Sequence, residues 1–356
     1  MSIKISQNSK VYVFLPTNRA SGGPELLHQL VYHLRNDLKI GAYLYYPYKD
    51  SNPIHNFYKK YNNPVTKNIE DSDSNVLLFP EAYRVLPIVS HYQNIQKIMW
   101  WLSVDNFYLP TFWGNRKYFF YRVINKIWRS FFKTALIDIE GKIYKKVNFS
   151  TLKLPKEIQN VDFYLVQSFY ALNYLLQQEI SKEKVFYLSD HLNEDFLKTQ
   201  TDLSKKENVV IYNPRKGREF TKKIMKKAKD IKFIPILNMT PNQVIEILQK
   251  AKVYIDFGNH PGKDRIPREA AILGCCVITG ERGSAAFYED VPILSEYKFE
   301  DKEENISLIV EKIKDCFENF DERYKDFKYY REVIKKEPTK FIEDLERIFV
   351  LEKGGD

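Results

Sequence analysis

The segment best suited to chemistry is a polar stretch between two apolar runs, over residues 256–279. In an open α/β sheet, ligands bind beyond the carboxyl ends of parallel strands, where the free amides of a helix N-terminus favour anions. A phosphate would suit those amides and the basic side chains, and a carboxylate can accept two hydrogen bonds from a ribose diol. The stretch carries both kinds of group: His260, Lys263, Arg265 and Glu269. In the alternative interpretation, the acid only begins a helix and the basic residues are solvated.

The elements that must hold these residues are short apolar runs alternating with amphipathic stretches. The runs typical of buried strands are residues 10–15, 42–46, 75–79, 98–103, 163–167, 208–212, 232–236, 253–256 and 275–279. A helix is predicted from Pro24 and Glu25, after the turn Ser21-Gly22-Gly23, and another from Pro267 to Leu273, with Glu269 in its first turn. Strands that alternate with helices indicate a parallel, doubly wound α/β sheet.

A lysine-rich connection that ends near Lys206 separates two series of such strands. We therefore predict an α/β protein of two Rossmann-like doubly wound domains that face a central cleft. The boundaries expected are 1–190 for an N-terminal domain, with a basic aromatic insertion at about 107–148, and 191–335 for a C-terminal domain. Residues 336–356 form a last helix, with a return to the first domain as one option.

Composition narrows the class of protein. The chain has 356 residues, of which 44% are hydrophobic and 28% charged, enough for two globular domains. No apolar run is long enough to cross a membrane, and no signal peptide is recognisable, so a cytoplasmic protein is expected. Three cysteines do not suggest a disulfide framework, and no Cys or His spacing suggests zinc; we predict buried thiols and no metal. The net charge of +9 predicts an anionic partner, a nucleotide, lipid headgroup or nucleic acid.

Residues 268–279, which read REAAILGCCVIT, resemble the donor-binding region of GT-B glycosyltransferases, especially the retaining family 4 group. In that family a Glu-Ala pair opens a helix that closes on glycine and an apolar strand. The resemblance makes Glu269 a ligand of the nucleotide ribose. The sequence departs from the family's pattern at Pro261, which stands where the family has a second acid. The pair His260-Pro261 is similar to an element of GT-B enzymes that use CMP-activated acidic sugars.

The same resemblance assigns further site residues. In it, the loop after the run 208–212 neutralises the donor diphosphate, so Arg215 and Lys216 are candidate catalytic residues beside Glu269. Fixed cations stabilise the charge that develops on a departing phosphate without a metal. Glu25 is a candidate base if the reaction inverts, and Glu81 and Asp105 follow strand ends in the same way. The donor-binding set is Gly22, Gly23, His260, Gly262, Lys263, Arg265, Glu269, Gly283 and Ser284.

A basic amphipathic helix is predicted from Lys117 to Ala135. Its basic side recurs at spacings of four, three and four, and bulky apolar residues recur on another side. Such a helix can lie in an anionic membrane interface, or it can pack its apolar side on the core. Nucleic acid ranks third, because no known binding module is present. The expected membrane contacts are Arg122, Lys126, Trp128, Arg129 and Lys133.

The resemblance implies a metal-independent hexosyltransferase that moves a sugar from a nucleotide-sugar to a glycan or lipid-linked acceptor. The setting it suggests is bacterial surface polysaccharide or lipopolysaccharide assembly, at the inner face of the cytoplasmic membrane. Alternatives are a transferase that uses a CMP-activated acidic sugar or a DNA or protein acceptor, and a non-catalytic nucleotide-sugar binder.

Overall fold

The computed structural model describes residues 2–16, 21–47, 53–132, 136–158 and 161–352. Its contacts divide the chain into two compact units. The first comprises Met1–Tyr108, Ser150–Asp190 and Pro338–Asp356, and the second comprises Leu109–Phe149 and His191–Glu337. The sequence predicts an insertion at about 107–148 in the N-terminal domain, whereas the contacts of Leu109–Phe149 group this segment with the second unit. An ion pair of 2.5 Å between Lys145 and Glu219 is one such contact.

The strands are, in chain order, β1 (Ile3–Ile5), β2 (Lys10–Phe14), β3 (Gly41–Tyr45), β4 (Val65–Thr66), β5 (Val76–Pro80), β6 (Gln96–Trp101), β7 (Phe163–Val166), β8 (Val185–Tyr187), β9 (Glu207–Tyr212), β10 (Lys232–Pro235), β11 (Ala251–Asp256), β12 (Cys276–Thr279) and β13 (Phe349–Leu351). The helices are α1 (Gly22–Asn36), α2 (Leu86–Val89), α3 (Val104–Phe112), α4 (Arg116–Phe132), α5 (Ile139–Tyr144), α6 (Phe169–Gln177), α7 (Glu194–Lys198), α8 (Arg218–Lys227), α9 (Pro241–Lys250), α10 (Arg265–Ile272), α11 (Ile306–Glu318), α12 (Phe320–Asp326) and α13 (Lys328–Ile348).

The first unit is built on a parallel sheet with the strand order β4-β3-β2-β5-β6-β7-β8. Its central strands are almost wholly apolar, and all five residues of β5 are buried, as expected where helices cover both faces. The strand order reverses between β2 and β5, which makes the loops after these strands the ligand-binding position of a doubly wound sheet. The turn before α1 and Glu81 lie in those loops.

The second unit is built on a parallel sheet with the strand order β10-β9-β11-β12. Here the order reverses between β9 and β11, so the loops over residues 213–217 and 257–264 flank the switch point. The predicted doubly wound α/β architecture is confirmed.

Two sequence expectations are changed by the structure. Helix α10 begins at Arg265, two residues before the predicted start, so Glu269 lies beyond its first turn. The lysine-rich connection is partly internal, because the ammonium of Lys206 is buried and donates to the carbonyls of Leu248, Ala251 and Leu273, each at 2.8 Å.

The three cysteines are free and buried, as predicted. Within the described part of the chain, no helix is both long and apolar enough to cross a membrane.

Candidate functional site

The loops after β9 and β11 touch backbone to backbone at the switch point of the second unit. Gly217 and Gly258 both have positive φ, at 50° and 102°. A Cβ on Gly217 would lie 2.3 Å from the carbonyl oxygen of Phe257, and a Cβ on Gly258 would lie 2.4 Å from the amide nitrogen of Gly217. Glycine is therefore required at both positions, and the close approach fixes the basic turn at 213–217 against the loop at 257–264.

The loop after β12 joins the same group. Gly283 forms a parallel bridge with His260, and the amide of Ser284 donates to the His260 carbonyl at 2.8 Å. The Ser284 hydroxyl donates to the carbonyl of Gly262 at 2.6 Å and is buried. Four of the predicted donor-binding residues thus lie together: His260, Gly262, Gly283 and Ser284. The amide and hydroxyl groups of Ser284, however, donate to carbonyls within these loops.

A charged network centres on Asp264, which directly precedes α10. Its carboxylate bonds to the ammonium of Lys216, and its Oδ2 lies 2.6 Å from Nδ1 of His260. Burial acts to raise the pKa of Asp264, but the Lys216 charge and the His260 hydrogen bond outweigh it and hold that pKa well below its usual range. Asp264 stays ionised and holds Lys216 at the switch point.

His260 is fully buried and spans the loop it belongs to. Its Nδ1 faces Asp264, and its second ring nitrogen, Nε2, lies 3.2 Å from the Asp256 carbonyl oxygen. Both of these partners are oxygen atoms, so the ring links the start of the loop, at Asp256, to its end, at Asp264.

Asp256, His260 and Asp264 also bring possible metal ligands within 4.8 Å of one another. The Asp256 Oδ2 accepts a hydrogen bond of 2.8 Å from the Tyr254 hydroxyl, and Lys216 already neutralises Asp264. A divalent cation among the three would face the Lys216 charge, so the donor set suits internal charge pairing better than metal binding.

Glu269 is buried and pairs with the basic residue one turn before it. The Arg265 Nε lies 3.8 Å from Oε1 of Glu269, and both side chains are largely buried. The earlier start of α10 produces this pair, because residues four apart share a helix face. The face therefore combines a carboxylate with a guanidinium, which suit a ribose diol and a phosphate respectively.

Lys263 belongs to a different cluster. Its Nζ lies 3.0 Å from Oε1 of Glu337, and Nη1 of Arg268 lies 2.9 Å from Oε2 of the same carboxylate. All three side chains are buried. Lys263 is thus engaged in an ion pair within the unit, and its assignment to the donor stays a prediction.

Arg215 is exposed, and its backbone amide donates to the side chain of Asn213 at 3.0 Å. Three acids of this region are not among the predicted site residues. Asp264 has a local signal, because it follows His260 by four residues. Asp301, whose carboxylate accepts from the Gly258 amide at 2.9 Å, and Glu337 have no such signal because they are distant in sequence.

In the first unit, Gly22 and Gly23 begin α1, and a Cβ on Gly23 would meet the Leu102 side chain at an ordinary 3.6 Å. Glu25 accepts a hydrogen bond of 3.1 Å from Tyr61 and lies 3.8 Å from the Lys60 ammonium. Asp105 is buried and accepts from the Tyr170 hydroxyl at 2.7 Å. Both acids are therefore engaged within their own unit.

Glu81 is a buried acid that directly follows β5, the strand next to β2. Its Oε2 accepts from the Leu102 amide at 2.9 Å, yet burial raises its pKa to about 7. A carboxyl group with a pKa near 7 can exchange a proton at neutral pH.

The raised pKa of Glu81 predicts a pH-dependent stability. Between about pH 4.5 and 7 the unfolded chain releases this proton and the folded chain keeps it, so stability falls as the pH rises. We expect Glu81→Gln, which mimics the neutral acid, to gain about 3 kcal/mol relative to the parent between pH 4 and pH 8. Denaturant unfolding of both proteins across this range measures the difference.

His28 acts in the opposite direction, because burial lowers its pKa to about 4. It costs stability as the pH falls from about 6.5 to 4. His28 is present in both proteins, so its effect cancels when their free energies of unfolding are subtracted. A difference that does not change with pH would contradict the Glu81 prediction.

Of the predicted membrane-contact residues, Arg122, Lys126, Trp128 and Arg129 lie on α4. Arg122 and Lys126 are exposed, and Trp128 is half-buried and stacks on Phe132 with ring centroids 4.1 Å apart. Lys133 and the side chain of Arg129 lie outside the described residues. On the predicted apolar side of this helix, Phe120, Ile127 and Phe131 are exposed and Ile124 is half-buried, and the neighbouring Phe119 and Val123 are also exposed.

No family model matches this chain, and no curated protein matches it by sequence. Solved structures do. HepE of Anabaena, solved with UDP and glucose, superposes with a TM-score of 0.62 over 95% of this chain and 99% of its own, at 10% identity. The lipopolysaccharide outer core galactosyltransferase WaaB gives 0.57 over 94% and 99%, at 10% identity. Sucrose-phosphate synthase of Thermosynechococcus elongatus gives 0.54 over 95% and 99%, at 12% identity. The chain has the GT-B fold of these proteins.

Proposed function

We propose that this chain is a glycosyltransferase that moves a hexose from a nucleotide-sugar donor to a glycan acceptor. The observation that carries the proposal is the arrangement at the switch point of the second unit. There, one α10 face carries Arg265 and Glu269, and Lys216 is held by Asp264 next to that helix. The fold is shared with HepE, whose structures contain UDP-glucose and UDP, which supports a uridine nucleotide as the first donor to test.

In this proposal Glu269 accepts hydrogen bonds from the ribose hydroxyls, and Arg215 and Lys216 bind the phosphates. Negative charge grows on the departing diphosphate as the glycosidic bond breaks. Lys216, which Asp264 already holds in place, stabilises that charge without reorganisation, which is the largest contribution expected from such a site. Asp264 is a positioning residue, because it acts through Lys216. The mechanism needs no metal, and Glu25 stays the candidate base for an inverting reaction.

For the acceptor, we propose a glycan of a bacterial surface polysaccharide or lipopolysaccharide. WaaB, which shares the fold, is a lipopolysaccharide galactosyltransferase, and this supports the choice. An acceptor of that kind is assembled on lipid, and α4 exposes basic and apolar residues together. We therefore propose that the protein binds peripherally to an anionic membrane through α4.

Thermal unfolding in the presence of nucleotides tests the donor site. A ligand present at a hundred times its Kd stabilises the folded state by about 2.7 kcal/mol. For a unit of this size we expect the Tm to rise by roughly 5–10 °C with UDP or UDP-glucose, since unfolding entropy scales with length. GDP, ADP, dTDP and CMP are the comparison set.

A rise with CMP alone would favour the acidic-sugar alternative. No rise with any of the five nucleotides would contradict the proposed donor site.

A further inference from the structure

A lysine-lined cavity of about 210 Å³ lies between α4 and α5 in the second unit. It opens to solvent, and its lining contains four basic residues and no acid: Lys117, Tyr118, Tyr121, Lys142, Lys145 and Lys146. This volume is below the usual range for a drug-sized ligand and suits one compact anion. Lys145 pairs with Glu219 at 2.5 Å. This acid neutralises only one of the four lysines, so the cavity keeps an excess of positive charge.

An exposed apolar stripe runs along the same helix. Phe120, Val123, Ile127 and Phe131 recur at spacings of three, four and four, which places them on one face of α4. Phe120 and Phe131 are 63% and 76% exposed. A stripe of this kind on a folded protein marks a surface that another molecule covers.

Basic and apolar groups together point to a lipid surface. An amphipathic helix in a membrane interface buries its apolar face at the acyl boundary, while lysines extend toward anionic headgroups. Single-stranded nucleic acid would also meet cations and aromatic rings, but Val123 and Ile127 offer no flat face on which a base could stack. The charge complements a phosphate, and the stripe complements the acyl chains beside it.

We propose that the lysine cavity binds the phosphate of an anionic membrane lipid while the apolar stripe of α4 enters the acyl boundary. Three lysines, Lys117, Lys142 and Lys146, supply the charge that Glu219 does not neutralise, and Tyr118 and Tyr121 complete the lining. This deepens the membrane contact proposed above by naming the headgroup chemistry. It does not depend on sugar transfer.

Vesicle flotation of the full chain tests the proposal. The vesicles are phosphatidylcholine alone, or phosphatidylcholine mixed with phosphatidic acid or phosphatidylglycerol. The pocket variant is Lys142→Gln with Lys146→Gln. The control is Lys226→Gln with Lys227→Gln, which removes the same charge from exposed positions on α8. Phe120→Ser with Phe131→Ser tests the stripe.

We expect the parent to float with both anionic mixtures and not with phosphatidylcholine alone. The pocket variant should lose about tenfold or more in partitioning, because each lysine near an anionic surface contributes appreciably to binding. The control should change about threefold or less. The stripe variant should lose binding to both anionic mixtures.

Several results would overturn the proposal. Equal losses in the pocket variant and the control would show diffuse charge instead of a site. Unchanged flotation of the pocket or stripe variant would remove the corresponding half of the proposal. Binding of a single-stranded oligonucleotide with the same dependence on Lys142 and Lys146, without vesicle binding, would replace the lipid with nucleic acid. The UDP-dependent rise in Tm, measured on each variant, keeps a failure here separate from a failure of the donor site.

Discussion

Replacing Glu269 by glutamine is expected to abolish the UDP-dependent rise in Tm and to lower kcat/KM for transfer by about 100-fold. The carboxylate accepts two charge-assisted hydrogen bonds from a diol, whereas the amide accepts through one oxygen and presents an NH₂ group to the other hydroxyl. The substitution also leaves the largely buried Arg265 without the carboxylate 3.8 Å from it. Both effects act on the α10 face proposed to bind the donor.

The matched control is Glu246→Gln, an exposed acid on the neighbouring helix α9. It should bind nucleotide and transfer sugar as the parent does. Arg265→Gln separates two roles for Glu269. If the acid only positions Arg265, the two variants will have the same kcat/KM, and the double variant will lose nothing further. If Glu269 binds the ribose itself, the double variant will be worse than either. Unchanged nucleotide binding in Glu269→Gln would contradict the assignment.

The sheets could be predicted from sequence because their strands are buried on both faces. Runs such as β5 and β7 are apolar over their whole length, and this pattern does not depend on any distant residue. The sequence predicts the start of α10 two residues late, because Pro267 is a favourable first residue of a helix, whereas the chain is already helical from Arg265. The error matters, since it hid the pairing of Arg265 with Glu269.

The site could be predicted in outline and not in its electrostatics. His260 and Lys216 stand a few residues after strand ends, and Glu269 belongs to the motif at residues 268–279, so the local sequence identifies all three. Whether a cation faces a ligand or an internal acid depends on partners far along the chain. Lys216 is 48 positions from Asp264, and Lys263 pairs with a carboxylate on α13. Composition and spacing do not encode such pairs.

Glu337 lies at the centre of a cluster of buried charge in the second unit. It is the last residue of that unit, and its carboxylate forms ion pairs with both Arg268, on α10, and Lys263, in the loop before α10. The backbone carbonyls of Asp264 and Lys263 lie 3.2 and 3.4 Å from nitrogens of the same guanidinium. The cluster therefore anchors α10, the helix that carries Glu269.

Replacing Glu337 by alanine is expected to lower the free energy of unfolding by about 3–5 kcal/mol, because it removes a buried carboxylate that pairs with two buried cations. Denaturant unfolding measures this loss, and Glu332→Gln, an exposed acid on the same helix, should change stability by about 0.5 kcal/mol or less. Arg268→Met combined with Glu337→Leu removes one cation together with the acid, so it should be less damaging than Glu337→Ala alone. A loss for Glu337→Ala no larger than that of Glu332→Gln would mean that water reaches the cluster and that the two cations do not depend on this acid. The expected loss, in contrast, would make the position of Glu269 depend on an ion cluster that contacts no substrate.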